Sequence, residues 1–228
     1  MRLIDLSTVI EPGMPKPPSA PEVTMSYVLG QSQEEEQEKG YTNKLEQYTI
    51  TTHVATHFDA PAHFTMGGKN IDQFPLEMFY HVPTLYLKIW KEDYGKITAE
   101  DIRQAEQVSG SIEKGDFVII DTGFYRYYEE ERYLRTPYLD LGAAEYLTEK
   151  GVSILGTDCF TVDDVREKKK PSHVHLLKEK EVLIIEFLAG LGQVTQNRFK
   201  SICMPLKIKN GSGAFTRVVG IMEEREGK

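Results

Sequence analysis

Histidines are the residues of this chain best suited to chemistry, and five of the six fall in two groups. His53, His57 and His63 share the segment His53-Val54-Ala55-Thr56-His57-Phe58-Asp59-Ala60-Pro61-Ala62-His63, while His173 and His175 lie two residues apart. Imidazole nitrogens and carboxylate oxygens in one cluster suit zinc or manganese. A straight strand would set His53, His57, Asp59 and His63 on one face but hold His53 and His57 about 13 Å apart, too far to share an ion. A helical turn or a coiled loop brings positions i and i+4 to roughly 6 Å, with Asp59 joining from the following turn and Pro61 blocking further helix. The strand that leads in is therefore expected to end near Thr52.

The second group, His173-Val174-His175-Leu176-Leu177, precedes an apolar run, Val182–Ile185, that closes on Glu186. Desolvating a carboxylate costs several kcal/mol unless a cation or hydrogen bonds compensate, so Glu186 at the end of a buried strand asks for such a partner. His81 stands apart without a well-spaced carboxylate and is left out of the site. Cys159 and Cys203 are too few for a disulfide framework and lack a Cys-X-X-Cys spacing, which reads as buried bystanders. No Gly-X-Ser-X-Gly elbow offers a serine nucleophile, and Gly211-Ser212-Gly213 reads as a turn between strands.

These groups need elements to carry them. Leu3–Ser7 reads as a short strand, the proline-rich Glu11–Pro18 as a shaped loop, residues 22–29 as a strand, and the polar Gln31–Gly40 as a solvated loop. A strand from Leu45 leads into the first histidine group. Beyond it, His81–Trp90 reads as a strand and Thr98 opens a helix through a capping arrangement with Asp101, with Ile102, Ala105 and Val108 on one face. Phe117–Asp121 is a buried strand, Leu141–Lys150 a helix, Val152–Leu155 a strand, Ser172–Glu179 a helix and Val182–Ile185 a buried strand. Strands at Ile202–Ile208 and Thr216–Ile221 close the chain. The charged run Arg166–Lys170 reads as a solvated loop. Strand–helix alternation argues a mixed α/β fold.

Composition narrows the partners. Lys plus Arg number 27 against 35 Asp plus Glu, a net charge of −8 that repels phosphate backbones, so nucleic acid is not expected. The longest apolar runs fall far short of the ~18 residues of a membrane span. An Asp at position 5 interrupts any signal-type apolar stretch, which makes the cytoplasm the expected compartment. At 228 residues, with 40% hydrophobic and 27% charged, one domain over 1–228 is the expected organisation.

The long motif resembles the hallmark HxGTHxDxPxH of the cyclase family of metal-dependent hydrolases, which includes bacterial kynurenine formamidases (arylformamidases) and isatin hydrolases. Ala55 stands where that hallmark has glycine. Ile4-Asp5-Leu6-Ser7 with Pro12-Gly13-Met14-Pro15, Gly156-Thr157-Asp158, and Met204-Pro205-Leu206-Lys207 are similar to the opening, middle and end of family members. The resemblance implies a fold of swivelling β/β/α type around a mixed central sheet. It also implies metal ligands at His53, His57 and Asp59, with Asp59 bridging to a second ion, and Glu186 completing the site. His63 matches the proton donor and acceptor. The later histidine ligand is His173, which begins the family's His-X-X-Leu-Leu pattern, or alternatively His175. The family spacing to the glutamate is twelve, whereas these lie thirteen and eleven residues before Glu186. One extra residue in the Lys178–Glu181 turn would account for the offset of His173. A homodimer or homotetramer is implied, with neighbouring subunits helping to form the pocket.

The chemistry that follows is hydrolysis of an amide-type C–N bond of a small molecule. One or two divalent ions, zinc first and manganese second, lower the pKa of a water toward ~7, and His63 moves the proton. The substrate class stays open among N-formyl arylamines, cyclic amides and small esters. Phe58, Phe64, Phe74, Phe79 and Tyr80 are available to a pocket or to the core, and Pro17 and Pro18 occupy the loop where relatives place a tryptophan. A metal-dependent cyclase or lyase, and a non-catalytic metal binder, are the competing readings.

Overall fold

A strand buried on both faces carries a continuous apolar run, and Phe117-Val118-Ile119-Ile120 is such a run at the middle of the molecule. The computed structural model describes residues 1–29 and 33–223. Along the chain come β1 (Arg2–Asp5), β2 (Thr24–Leu29), α1 (Gln33–Lys39), β3 (Leu45–Thr49), β4 (His57–Asp59), β5 (Val82–Lys88) and β6 (Lys96–Ile97). They are followed by α2 (Ala99–Ser109), β7 (Phe117–Asp121), β8 (Tyr138–Leu139), α3 (Leu141–Glu149), β9 (Ile154–Thr157) and α4 (Pro171–His173), which runs into a π-helix, Val174–Glu179. β10 (Leu183–Glu186), β11 (Arg198–Ile202), β12 (Gly213–Phe215) and β13 (Val219–Met222) complete the fold.

Among the described residues, nine strands form one mixed sheet in the order β1-β13-β11-β5-β7-β9-β10-β4-β12. Its centre, β5-β7-β9-β10, is parallel, and antiparallel strands flank it on both sides. Alternation along β7 divides the core. Phe117 and Ile119 pack with Phe58 and Ile185 on one face, while Val118 and Ile120 meet Leu155 and the helical residues Ile102 and Leu147 on the other. The α2 terminus forms as its sequence dictates: Asp101 N–H donates to Thr98 Oγ1 (3.2 Å) and Thr98 N–H donates to Asp101 Oδ2 (2.8 Å). Among the described residues, no helix is long and apolar enough to cross a membrane.

Several sequence expectations are corrected. β3 ends at Thr49, not near Thr52, and His57 and Asp59 belong to a strand instead of a helical turn. Residues 33–39 are helical, because Gln, Glu and Lys form helix well even without an apolar stripe; Gln31 and Ser32 lie outside the described residues. Val108 is 82% exposed, on the last turn of α2 and off the face that Ile102 buries. The strand expected at Ile202–Ile208 runs instead from Arg198 to Ile202, with Pro205 beyond its end. Of the strand expected at Thr216–Ile221, only Val219–Ile221 lie in a strand, β13, while Thr216 forms an isolated bridge to Pro205. The strand expected at Val152–Leu155 is shifted two residues on, to Ile154–Thr157.

Candidate metal centre

β4 lies between β10 and β12, in a register that sets His57 opposite Glu186 and Asp59 opposite Gly213. Successive strand residues point to opposite faces, so His57, Asp59 and Glu186 share one side while Phe58 and Ile185 enter the core on the other. His53 reaches the same side from the turn before β4. Ala55 in that turn has a φ of 53°, left-handed backbone that costs a residue with a Cβ roughly 1–2 kcal/mol and that glycine adopts freely. The turn is pinned by Thr56, whose N–H donates to Thr8 Oγ1 (2.9 Å) and whose hydroxyl donates to the Phe187 carbonyl (2.7 Å). Gly213 forms a seat for His53, since a Cβ there would come within 2.6 Å of His53 Cε1.

His173 arrives from α4. Its Nε2 lies 3.4 Å from Asp59 Oδ2 and 3.2 Å from Glu186 Oε1. His57 Nε2 lies 3.1 Å from Asp59 Oδ1 and 3.8 Å from Glu186 Oε2, and His53 Nδ1 lies 2.6 Å from Asp59 Oδ1. Asp59 is therefore common to two sets, His53-His57-Asp59 and Asp59-His173-Glu186; in each, one atom per residue lies within 4.8 Å of the others.

The opposite nitrogens are tied outward. His57 Nδ1–H donates to the Ala55 carbonyl (2.8 Å), His173 Nδ1–H donates to Asp163 Oδ2 (2.5 Å), and His53 Nε2 shares a hydrogen bond with Ser212 Oγ (3.0 Å). With these tautomers, assigned from the partners, the Nε2 atoms of His57 and His173 turn lone pairs toward carboxylate oxygens. His57 Nε2 is buried without a hydrogen-bond partner, and its approach to Asp59 sets one lone pair against another. Such an arrangement needs protons or a cation between the groups. Burial pushes His57 and His173 down, but the facing carboxylates reverse this and hold both above their ordinary values. Burial pushes Asp59 up, yet His173, His53 and His57 facing it, once protonated, bring it well below the carboxylate range. Glu186 is raised, by burial first and then by the Asp59 charge. A divalent cation resolves the same opposition with neutral imidazoles, and outward-tied histidines are what metal ligands require. The residues fit a divalent cation.

His63 stands outside both sets, stacked on His53 with ring centroids 3.8 Å apart and an interplanar angle of 16°. His63 is an exposed residue, with Phe64 set edge-on to its ring at 4.8 Å. The protein packed around it nonetheless pushes its pKa down to about 4, outweighing the pull of the Asp59 charge, so the ring is neutral at pH 7. A cavity of about 490 Å³ opens here, lined by His63, Asp59 and Glu186 and walled by Phe64, Phe160 and Pro18.

The structure thus brings together His53, His57, Asp59, His63, His173 and Glu186. It leaves out His175, which pairs with Glu179 and Thr148 at 3.0 Å each, and His81, which stacks on Tyr80. The π-helix between His173 and Glu186 takes up an extra residue per turn, which accommodates a long spacing upstream of the Lys178–Glu181 turn. Of the aromatics, Phe58, Phe74 and Phe79 are core, Tyr80 is exposed, and Phe64 lines the cavity while stacking on His173 at 4.7 Å. Sequence reading missed Asp163, Ser212 and Phe160. No spacing marks Asp163, which lies ten residues before His173.

The model of a family described as "Putative cyclase" matches residues 4–164. A kynurenine formamidase of Geobacillus thermodenitrificans is 30% identical over 181 residues, covering 79% of this chain and 80% of its own. A kynurenine formamidase of Erythrobacter litoralis is 27% identical over 225 residues, covering 96% and 93%. The structure of isatin hydrolase A from Labrenzia aggregata, bound to benzyl benzoate, superposes with a TM-score of 0.83 at 25% identity, covering 96% of this chain and 93% of that one.

Proposed function

The chain belongs to the cyclase family, and from that premise we propose that it is a metal-dependent hydrolase cleaving an amide-type C–N bond of a small molecule. N-formyl arylamines and cyclic amides are the substrate classes, in line with the kynurenine formamidases and isatin hydrolase to which it is similar. One observation carries the reading: lone pairs of distant histidines and carboxylates oppose one another in a cavity beside a neutral imidazole.

His53, His57, Asp59, His173 and Glu186 would hold the ion, or two ions with Asp59 common to both. Three nitrogens with two carboxylates favour zinc, then manganese. A bound divalent cation supplies Lewis acidity toward the carbonyl and lowers the pKa of a water toward about 7. His63 takes the proton of the attacking water and delivers one to the leaving nitrogen, so that amide plus water gives amine plus carboxylic acid. Phe64 and Phe160 hold an aryl group and keep bulk water from the reacting carbonyl. The shared nine-stranded sheet supports one domain over residues 1–228. Buried Cys159 and Cys203, both free thiols, agree with the reducing cytoplasm.

Elemental analysis and turnover of N-formyl anilines and lactams, measured together, test the roles. Asp59→Ala is expected to lose metal and activity. His63→Ala should keep its metal while turnover drops by about 10²–10⁴-fold. Equal loss of metal from both variants would show that the ligand and base roles are misassigned, and turnover without any metal would remove the reading.

A further inference from the structure

Among the described residues that line the cavity, one is a lysine or arginine, Lys170. Its neighbours Arg166 to Lys169 are exposed, whereas Lys170 is half-buried and lines the cavity. Its Nζ donates to the Asp164 carbonyl (3.3 Å), a single long bond from a group with three donors. The nearby Asp164 carboxylate is occupied by Arg166, whose Nε and NH2 donate to it at 2.8 and 2.6 Å, so Lys170 acts on it only through its charge. Among the described residues, Lys170 makes no salt bridge to a side chain. Drawing a charge partly out of water costs free energy unless it is paired, and here the available partner is whatever enters the cavity.

The remaining walls limit what enters. Phe64 and Phe160 present aromatic surface, and the rim at Pro17, Pro18 and Ala20 is braced by Lys16, which donates to the Ala20 carbonyl (2.8 Å) and pairs with Glu22 (3.0 Å). Asp59 and Glu186 line the same cavity, but their charge is taken up by the groups they face at the metal centre. Lys170 is the side-chain cation open to a ligand carboxylate, in the cavity that His63 and Asp59 also line. We propose that Lys170 is a specificity-determining residue that pairs with a carboxylate on an aryl amide substrate, so that this chain prefers anionic aryl amides to neutral ones. The proposal rests on the hydrolase reading for its substrate class but not for the binding it describes.

The test uses the metal-supplied protein with two matched substrates, N-formylanthranilate and neutral formanilide, and calorimetric binding of anthranilate and aniline. In Lys170→Met the ratio of kcat/KM for N-formylanthranilate to that for formanilide is expected to fall about tenfold to a hundredfold, mainly through KM, as loss of a charge-assisted bond predicts. Lys170→Arg should restore most of it, and anthranilate binding should weaken in parallel in Lys170→Met. An unchanged ratio, or anthranilate binding unaffected by loss of the ammonium, overturns the proposal while leaving hydrolysis standing. Anthranilate binding that depends on Lys170 in a protein that turns over neither substrate supports the carboxylate subsite and overturns the hydrolase reading instead.

Discussion

Each histidine of the centre has one nitrogen turned inward and the other secured outside, and the security differs from one to the next. For His173 it is the Asp163 carboxylate, which also accepts from the backbone N–H groups of Ser172 (2.9 Å) and His173 (3.1 Å). Removing that carboxylate frees the ring to rotate and weakens its basicity without touching a ligand atom. Asp163→Ala is therefore expected to bind the divalent ion 10–100-fold more weakly, measured by competition with a chromophoric chelator, with far-UV circular dichroism unchanged. An unaltered dissociation constant would remove Asp163 from this role. His53, His57, Asp59, His63 and Glu186 were legible because imidazoles and carboxylates at close spacing, or at the end of an apolar run, have few other uses. Asp163 and Ser212 were not, because their partners are set by how two loops fold back, and nothing in local spacing encodes that path. Ala55 shows the converse: its left-handed φ explains why glycine suits the motif at that position.

At the scale of elements, the buried central strands were legible and the margins were not. Continuous apolar runs such as Phe117–Ile120 lie where both faces are covered, whereas outer strands depend on which neighbour the chain finds: β12 and β13, three residues apart in the chain, sit toward opposite ends of the sheet. The π-helix left no mark in the apolar pattern, since it shifts register by one residue while still burying Leu176 and Leu177. The hairpin of β2 and β3 pairs Leu29 with Leu45 and leaves Val28, Leu29, Leu45 and Tyr48 between 45% and 51% exposed. A two-stranded hairpin is marginal in water on its own, and we propose that this apolar surface packs on another copy. Sedimentation is expected to give the mass of two or four chains, and Leu45→Lys to shift it toward one. A wild-type mass of a single chain at micromolar concentration would sink the homo-oligomer.

For the molecule as a whole, the centre joins β4 and the turn before it, the end of β10 and the end of α4, segments that lie far apart in the chain and meet at Asp59. With no cation, the buried carboxylates of Asp59 and Glu186 depend on protonated His57 and His173 for compensation, and those imidazoles lose their protons as pH rises through their elevated pKa values. A cation held by the folded chain and not by the unfolded one adds about 4.1 kcal/mol of stability when its free concentration is a thousand times the dissociation constant. At about 2–4 °C per kcal/mol for a chain of this size, chelation should lower Tm by about 8–16 °C relative to the metal-saturated protein. Asp59→Ala, which has lost the residue common to both ligand sets, should melt at the same temperature with and without chelator. Thermal unfolding followed by circular dichroism, with free zinc buffered across its binding range, checks both outcomes. A wild-type Tm indifferent to zinc would mean that protons alone balance these carboxylates and that the opposed lone pairs do not mark a metal centre.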